Sequence, residues 1–186
     1  MICGSFCMNQ QKQYRIAILF LFTGGFLLFL LSSLQDPFLN LWDERFHALV
    51  AKNMMKHPLL PTLYDDPVLT MAYDRWDRAI VWLHKQPLFL WLIAISFKIL
   101  GVSEVSLRLP SVIMASLLIL VTYRTVKLLT NEATGFLTAF LFSTSYYLMQ
   151  LVAGRQELEH NDVAFLFFIS CSIWVWTEYV FSDQKL

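Results

Sequence analysis

Long apolar runs separated by short polar segments dominate this chain, and through most of them hydrophobic residues neither alternate nor fall into a single helical stripe. Four runs, residues 16–34, 109–126, 133–152 and 163–181, reach the roughly 20 residues needed to cross a hydrocarbon core of about 30 Å. Only helices and closed barrels satisfy their backbone polar groups in lipid, and the lack of alternation selects helices. A fifth run, 88–100, is shorter and carries Lys98 near its end, which suits a re-entrant or interfacial helix. Residues 44–56 have helical periodicity: Phe46, Leu49, Val50, Asn53 and Met54 share a face, while Arg45, His47, Lys52 and Lys56 fall elsewhere. The pattern predicts an amphipathic helix lying on the membrane. The expected fold is therefore all-α: one polytopic membrane domain over residues 1–186, with four transmembrane helices and two further helices in a long first external loop, 35–106.

Composition strengthens the membrane reading, at 57% hydrophobic residues and a mean hydropathy of +0.54. Fourteen basic residues balance fourteen acidic ones, so no basic field marks a nucleic-acid partner. Cys3, Cys7 and Cys171 have no paired spacing and receive no role. Topology turns on the short run 88–100. If it crosses, Arg124 and Lys127 face outward. If it stays at the interface, Lys12, Arg15, Arg124, Lys127 and Lys185 are all cytoplasmic, and the short outer loop 153–162 has Arg155 as its only basic residue. The second arrangement obeys the positive-inside rule. It puts the N-terminus in the cytoplasm and Asp43 and Asp162 on the same outer face.

Candidate chemistry collects in the polar segments on that face. Asp43 and Glu44 follow the first span directly. A carboxylate beside Trp42 at the membrane surface can serve as a general base or hold a metal. Local sequence equally allows Asp43 to cap the following helix, and favours that simpler role. The loop 154–162 holds Arg155, Glu157, Glu159, His160 and Asp162, which suit a phosphate or metal or else a solvated turn with Asp162 as cap. His84 and Lys85 precede the interfacial run, and Lys85 suits a lipid phosphate. Asp43, His84 and Asp162 are the candidate ligands for a divalent metal, whose use the sequence leaves open. Gly24 and Gly25 point to close helix packing, and the segment 73–82 suits an interfacial aromatic layer.

The order of these features resembles the GT-C glycosyltransferases of family 39, which include protein O-mannosyltransferases and lipid A aminoarabinose transferases. The resemblance rests on Trp42-Asp43-Glu44 after the first span, His84-Lys85-Gln86-Pro87-Leu88 with Trp91, Arg108-Leu109-Pro110-Ser111, and Arg155 followed by Asp162 and Phe165. It implies an inverting enzyme of a bacterial cytoplasmic membrane, with its site facing the periplasm or exterior. Such an enzyme takes a sugar from a polyprenyl-phosphate carrier and passes it to a protein, lipid or glycan acceptor. By that analogy Asp43 is the base, Lys85, Arg155 and His84 contact the donor, Asp162 supports the site, and Glu44 shapes it without taking the proton.

Relatives often have an acidic residue or a second proline where this chain has His84 and Gln86. They also have many more spans, so the expectation is a fragment whose turnover depends on further chain. The rival class is a non-catalytic multi-pass adaptor or assembly factor, which needs no paired acids. A transporter fits less well, because these spans carry few ionisable groups at mid-depth.

Overall fold

The computed structural model describes residues 2–68, 74, 75, 77–155 and 160–182, with side chains described from residue 12 to residue 181. Among these residues the chain forms seven helices: α1 (Ile2–Leu34), α2 (Asp43–Met54), α3 (Pro87–Leu100), α4 (Glu104–Leu129), α5 (Glu132–Ser143), α6 (Tyr146–Val152) and α7 (Asn161–Ser182). The described extended pairing is an isolated antiparallel bridge between Thr62 and Val81. Lys185, Glu157, Glu159 and part of the segment 73–82 lie outside the described residues.

Three helices are long and apolar enough to span a membrane: Lys12–Leu34 within α1, Glu104–Leu129, and Asn161–Phe181 within α7. They differ in burial. In α4, 67% of the most apolar window is buried, against 22% in α1 and 17% in α7, which makes α4 the core helix around which α1, α5 and α7 pack. Gly25 permits the close approach of α1, since a Cβ there would stand 2.3 Å from Ile119 Cδ1. Gly24 has open space around it, so the packing expected of the glycine pair falls to one of them.

The run 133–152 is not one straight helix. α5 and α6 meet at a 52° bend and form a fourth span only when counted together. Consecutive hydroxyls make the break. Ser143 and Thr144 both donate to the Phe140 carbonyl, while Ser145 becomes the N-cap of α6 and accepts from the Leu148 N–H at 3.5 Å.

At 14 residues, α3 is roughly 21 Å long, short of a bilayer core. Pro87 starts it at a position where no N–H is needed, and Gly101, with φ 84°, ends it. Its first turn meets His47 and His160 through Phe89, and its last turns meet the start of α4. Pro110 lacks the N–H that would bond the Ser106 carbonyl four residues earlier. Ser96 of α3 donates to that carbonyl at 2.6 Å and compensates for the loss.

The buried face of α2 differs from the one its apolar residues suggest. Asp43, Glu44, His47, Val50, Ala51, Asn53 and Met54 are buried, whereas Phe46 and Leu49 are half-buried. Polar residues sit inward because their partners are there: Asn53 donates to the Thr62 and Leu63 carbonyls, and His47 meets His160. The stripe 43, 47, 50, 51, 54 follows a helical period, but it is a polar-apolar seam.

Candidate functional site

Polar residues gather at two ends of the helix bundle. One end holds Tyr123, Arg124, Lys127, Glu132 and Glu178. The other holds the α1–α2 connection, the start of α4 and the α6–α7 connection, and nearly all the candidate residues lie there.

Arg108 organises that end. Its side chain has no solvent exposure, and all five of its N–H groups are used. Nε donates to Glu44 Oε1 at 2.7 Å and Nη2 to Glu44 Oε2 at 3.1 Å. Nη1 donates to the carbonyls of Ser33 and Asp36, and Nη2 also to that of Phe38. The guanidinium thus caps the C-terminus of α1, shapes the connection to α2, and neutralises a glutamate that is itself only 3% exposed. Glu44 Oε2 accepts from the Asn40 N–H at 2.7 Å as well. Gly154 lies directly over this carboxylate: a Cβ there would stand 2.5 Å from Glu44 Oε1, and its φ of 67° independently favours glycine. Glu44 is therefore locked into the scaffold.

Its neighbour faces a different environment. Asp43 is the first residue of α2, and Trp42 is the N-cap and makes no side-chain cap bond, so Asp43 is not the cap that local sequence favoured. It lies in the first turn, where the helix dipole favours negative charge. Lys85 Nζ stands 3.9 Å from Asp43 Oδ2, with side-chain exposures of 16% and 9%. A cavity of about 740 Å³ opens beside Lys85, lined by His84, Lys85, Phe89, Asp162, Phe165 and Phe168 among others. Its polar residues come from the segment before α3, the first turn of α7 and, further along α7, Ser172. Its apolar residues continue down α7 to Ile169.

The structure thus brings His84, Lys85 and Asp162 to one cavity and joins Asp43 to it through Lys85. Arg155 is held elsewhere, with Nε 3.8 Å from Asp36 Oδ2 and Nη2 3.4 Å from Gln35 Oε1. Among the described residues no three His, Cys, Asp or Glu side chains come together to hold a metal ion.

Sequence reasoning gave no site role to two residues that build this site. Arg108 immediately precedes the predicted span 109–126; an arginine at the edge of an apolar run is a signal of a paired interior charge. His47, assigned away from the apolar face, is fully buried. Its Nδ1 lies 2.8 Å from His160 Nε2, and the two rings are nearly parallel, with centroids 5.0 Å apart and an interplanar angle of 13°. Burial and, secondarily, the charge of Arg108 push the His160 pKa down to about 3.

The helices and this polar end describe an integral membrane protein with its candidate chemistry at one end of a helical bundle. A family model described as dolichyl-phosphate-mannose-protein mannosyltransferase matches residues 84–185, more than half of the chain, and the chain belongs to that family. That match includes His84, Lys85, Arg108, Arg155 and Asp162 and begins after Asp43. An uncharacterised protein of Aquifex aeolicus (strain VF5) is 29% identical over 167 residues, covering 86% of this chain. The chain spans 30% of that relative's length. No solved structure matches.

Proposed function

We propose that this chain forms the donor-binding and base-bearing part of a glycosyltransferase that moves a sugar from a polyprenyl-phosphate carrier to a protein, lipid or glycan acceptor. The observation that carries the reading is Lys85, which lines the cavity beside α7 and also stands 3.9 Å from Asp43. An ammonium in that position can hold a phosphate while the adjacent carboxylate takes the acceptor's proton. The cavity has the matching gradient. Lys85, His84 and Asp162 form a polar mouth, and Phe165, Phe168 and Ile169 supply an apolar wall suited to a prenyl chain.

In this mechanism Asp43 removes the proton from the acceptor nucleophile as it attacks the anomeric carbon from the face opposite the phosphate. The C–O bond to the carrier breaks, the configuration inverts, and Lys85 stabilises the departing lipid phosphate. Asp162 and His84 orient the donor at the cavity mouth. Glu44, already bound to Arg108, fixes the turn that carries Asp43. Arg155 acts from the α6–α7 connection.

The reaction face is the outer one, that of the periplasm or exterior, with the N-terminus in the cytoplasm. Lys12, Arg15, Arg124 and Lys127 then lie on the cytoplasmic side, and α3 remains at the outer interface without crossing. The adaptor reading lacks comparable support, since family membership favours the enzyme.

The test uses membranes carrying the complete reading frame and radiolabelled polyprenyl-phosphate mannose. Asp43→Asn should lower transfer by about 10²–10⁴-fold while leaving protein abundance unchanged. Equal transfer by the two proteins would overturn the assignment of Asp43 as base. Labelling of single cysteines at positions 41 and 156 from the outer side tests the topology.

A further inference from the structure

The two histidines buried behind Asp43 have a geometry that ordinary packing does not require. His47 is one helical turn beyond Asp43 on the buried face of α2, and His160 directly precedes α7, whose first turn carries Asp162. Phe89 makes T-shaped contacts with both rings and Trp82 with that of His47, so the pair is held in an aromatic box. The backbone is fixed too, because Ser111 of α4 donates to the His160 carbonyl at 3.2 Å.

A nitrogen–nitrogen separation of 2.8 Å requires one proton between the rings, since two facing lone pairs would repel. Either ring can supply it, since which nitrogen donates depends on the tautomer, and in both arrangements one bond links α2 to the start of α7.

We propose that the hydrogen bond between His47 Nδ1 and His160 Nε2 is a strut that sets the Asp43-bearing turn of α2 against the Asp162-bearing turn of α7, making both histidines positioning residues for sugar transfer. The proposal rests on the reading of Asp43 as the base. Separations at a reacting centre matter steeply: a displacement of about 1 Å can cost about 10²-fold in rate. The strut connects residues 113 apart in sequence.

The two bond ends can be mimicked separately. A glutamine amide reaches the place of histidine Nε2 and an asparagine amide that of Nδ1, each able to donate or accept, whereas leucine fills the volume without the bond. In the complete protein, assayed with polyprenyl-phosphate mannose, His160→Leu and His47→Leu should lower kcat by about 10²-fold with little change in the donor KM, while His160→Gln and His47→Asn should recover most of the rate. Nitrogen-15 NMR of the purified chain in detergent, without substrate, should show one proton shared between His47 Nδ1 and His160 Nε2. If glutamine and leucine are equally damaging, or equally harmless, the strut is overturned. Finding both of those nitrogens protonated, or neither, overturns it as well. Because the NMR result needs no turnover, the strut and the transferase reading can fail separately.

Discussion

Arg108 and Arg124 stand near opposite ends of α4, and each meets a glutamate from another helix, Glu44 of α2 and Glu178 of α7. The pairs are chemically alike and physically unlike. Arg108 and Glu44 have side-chain exposures of 0% and 3%, with the remaining donors spent on three backbone carbonyls. Arg124 and Glu178 are 41% and 33% exposed, with Trp174 Nε1 as a further donor to the glutamate. Water or headgroups can replace either partner of the exposed pair. Nothing can replace a partner of the buried one, because removing it leaves a charge and several carbonyls without compensation. The same two residue types therefore make a keystone at one end and a surface contact at the other, and the keystone lies directly beneath the candidate base.

Mutating each end tests that contrast. Arg108→Ala should destabilise the protein by about 3–5 kcal/mol, read as urea or thermal unfolding in detergent, and should abolish transfer through misfolding of the α1–α2 connection. A loss under about 1 kcal/mol would show that the buried pair is no more important than an exposed one.

Acid should act on the same end. An unfolded histidine takes up a proton near pH 6.5, whereas buried His160 resists it until about 3. Between those values the unfolded state binds the extra proton, so stability falls as pH drops, by about 1.4 kcal/mol per pH unit. Above pH 6.5 this contribution is constant. Comparing parent with His160→Gln isolates it, since the variant should lack this part of the slope; identical slopes would refute the buried neutral ring.

The smallest effect is expected at the far end, where Arg124→Ala should cost about 0–1 kcal/mol in the same unfolding measurement. A loss equal to that of Arg108→Ala would erase the distinction between the two pairs.

The spans were legible because lipid demands helices that are apolar over most of their surface for about 20 residues, a requirement written in a contiguous run. Lys85, Asp43 and Asp162 were legible as candidates for a related reason, as polar residues beside such runs. The bend between α5 and α6 was harder to read: Ser143, Thr144 and Ser145 interrupt the backbone through local hydroxyl bonds without lowering the hydropathy enough to divide the run. On α2 the expected face failed at His47, since a side chain that can be polar at the surface can also be buried when a partner awaits it.

The sequence by itself determined the all-helical membrane class, the approximate spans and the polar segments from which a site could be built, because each depends on residues close together in the chain. Only the tertiary structure decided which acids share a site and which one is locked away. Glu44 meets Arg108 across 64 positions and His47 meets His160 across 113. Asp43 and Glu44 are adjacent and nearly identical in chemistry, yet successive helical residues point about 100° apart, and that angle puts one against Lys85 and the other under Arg108.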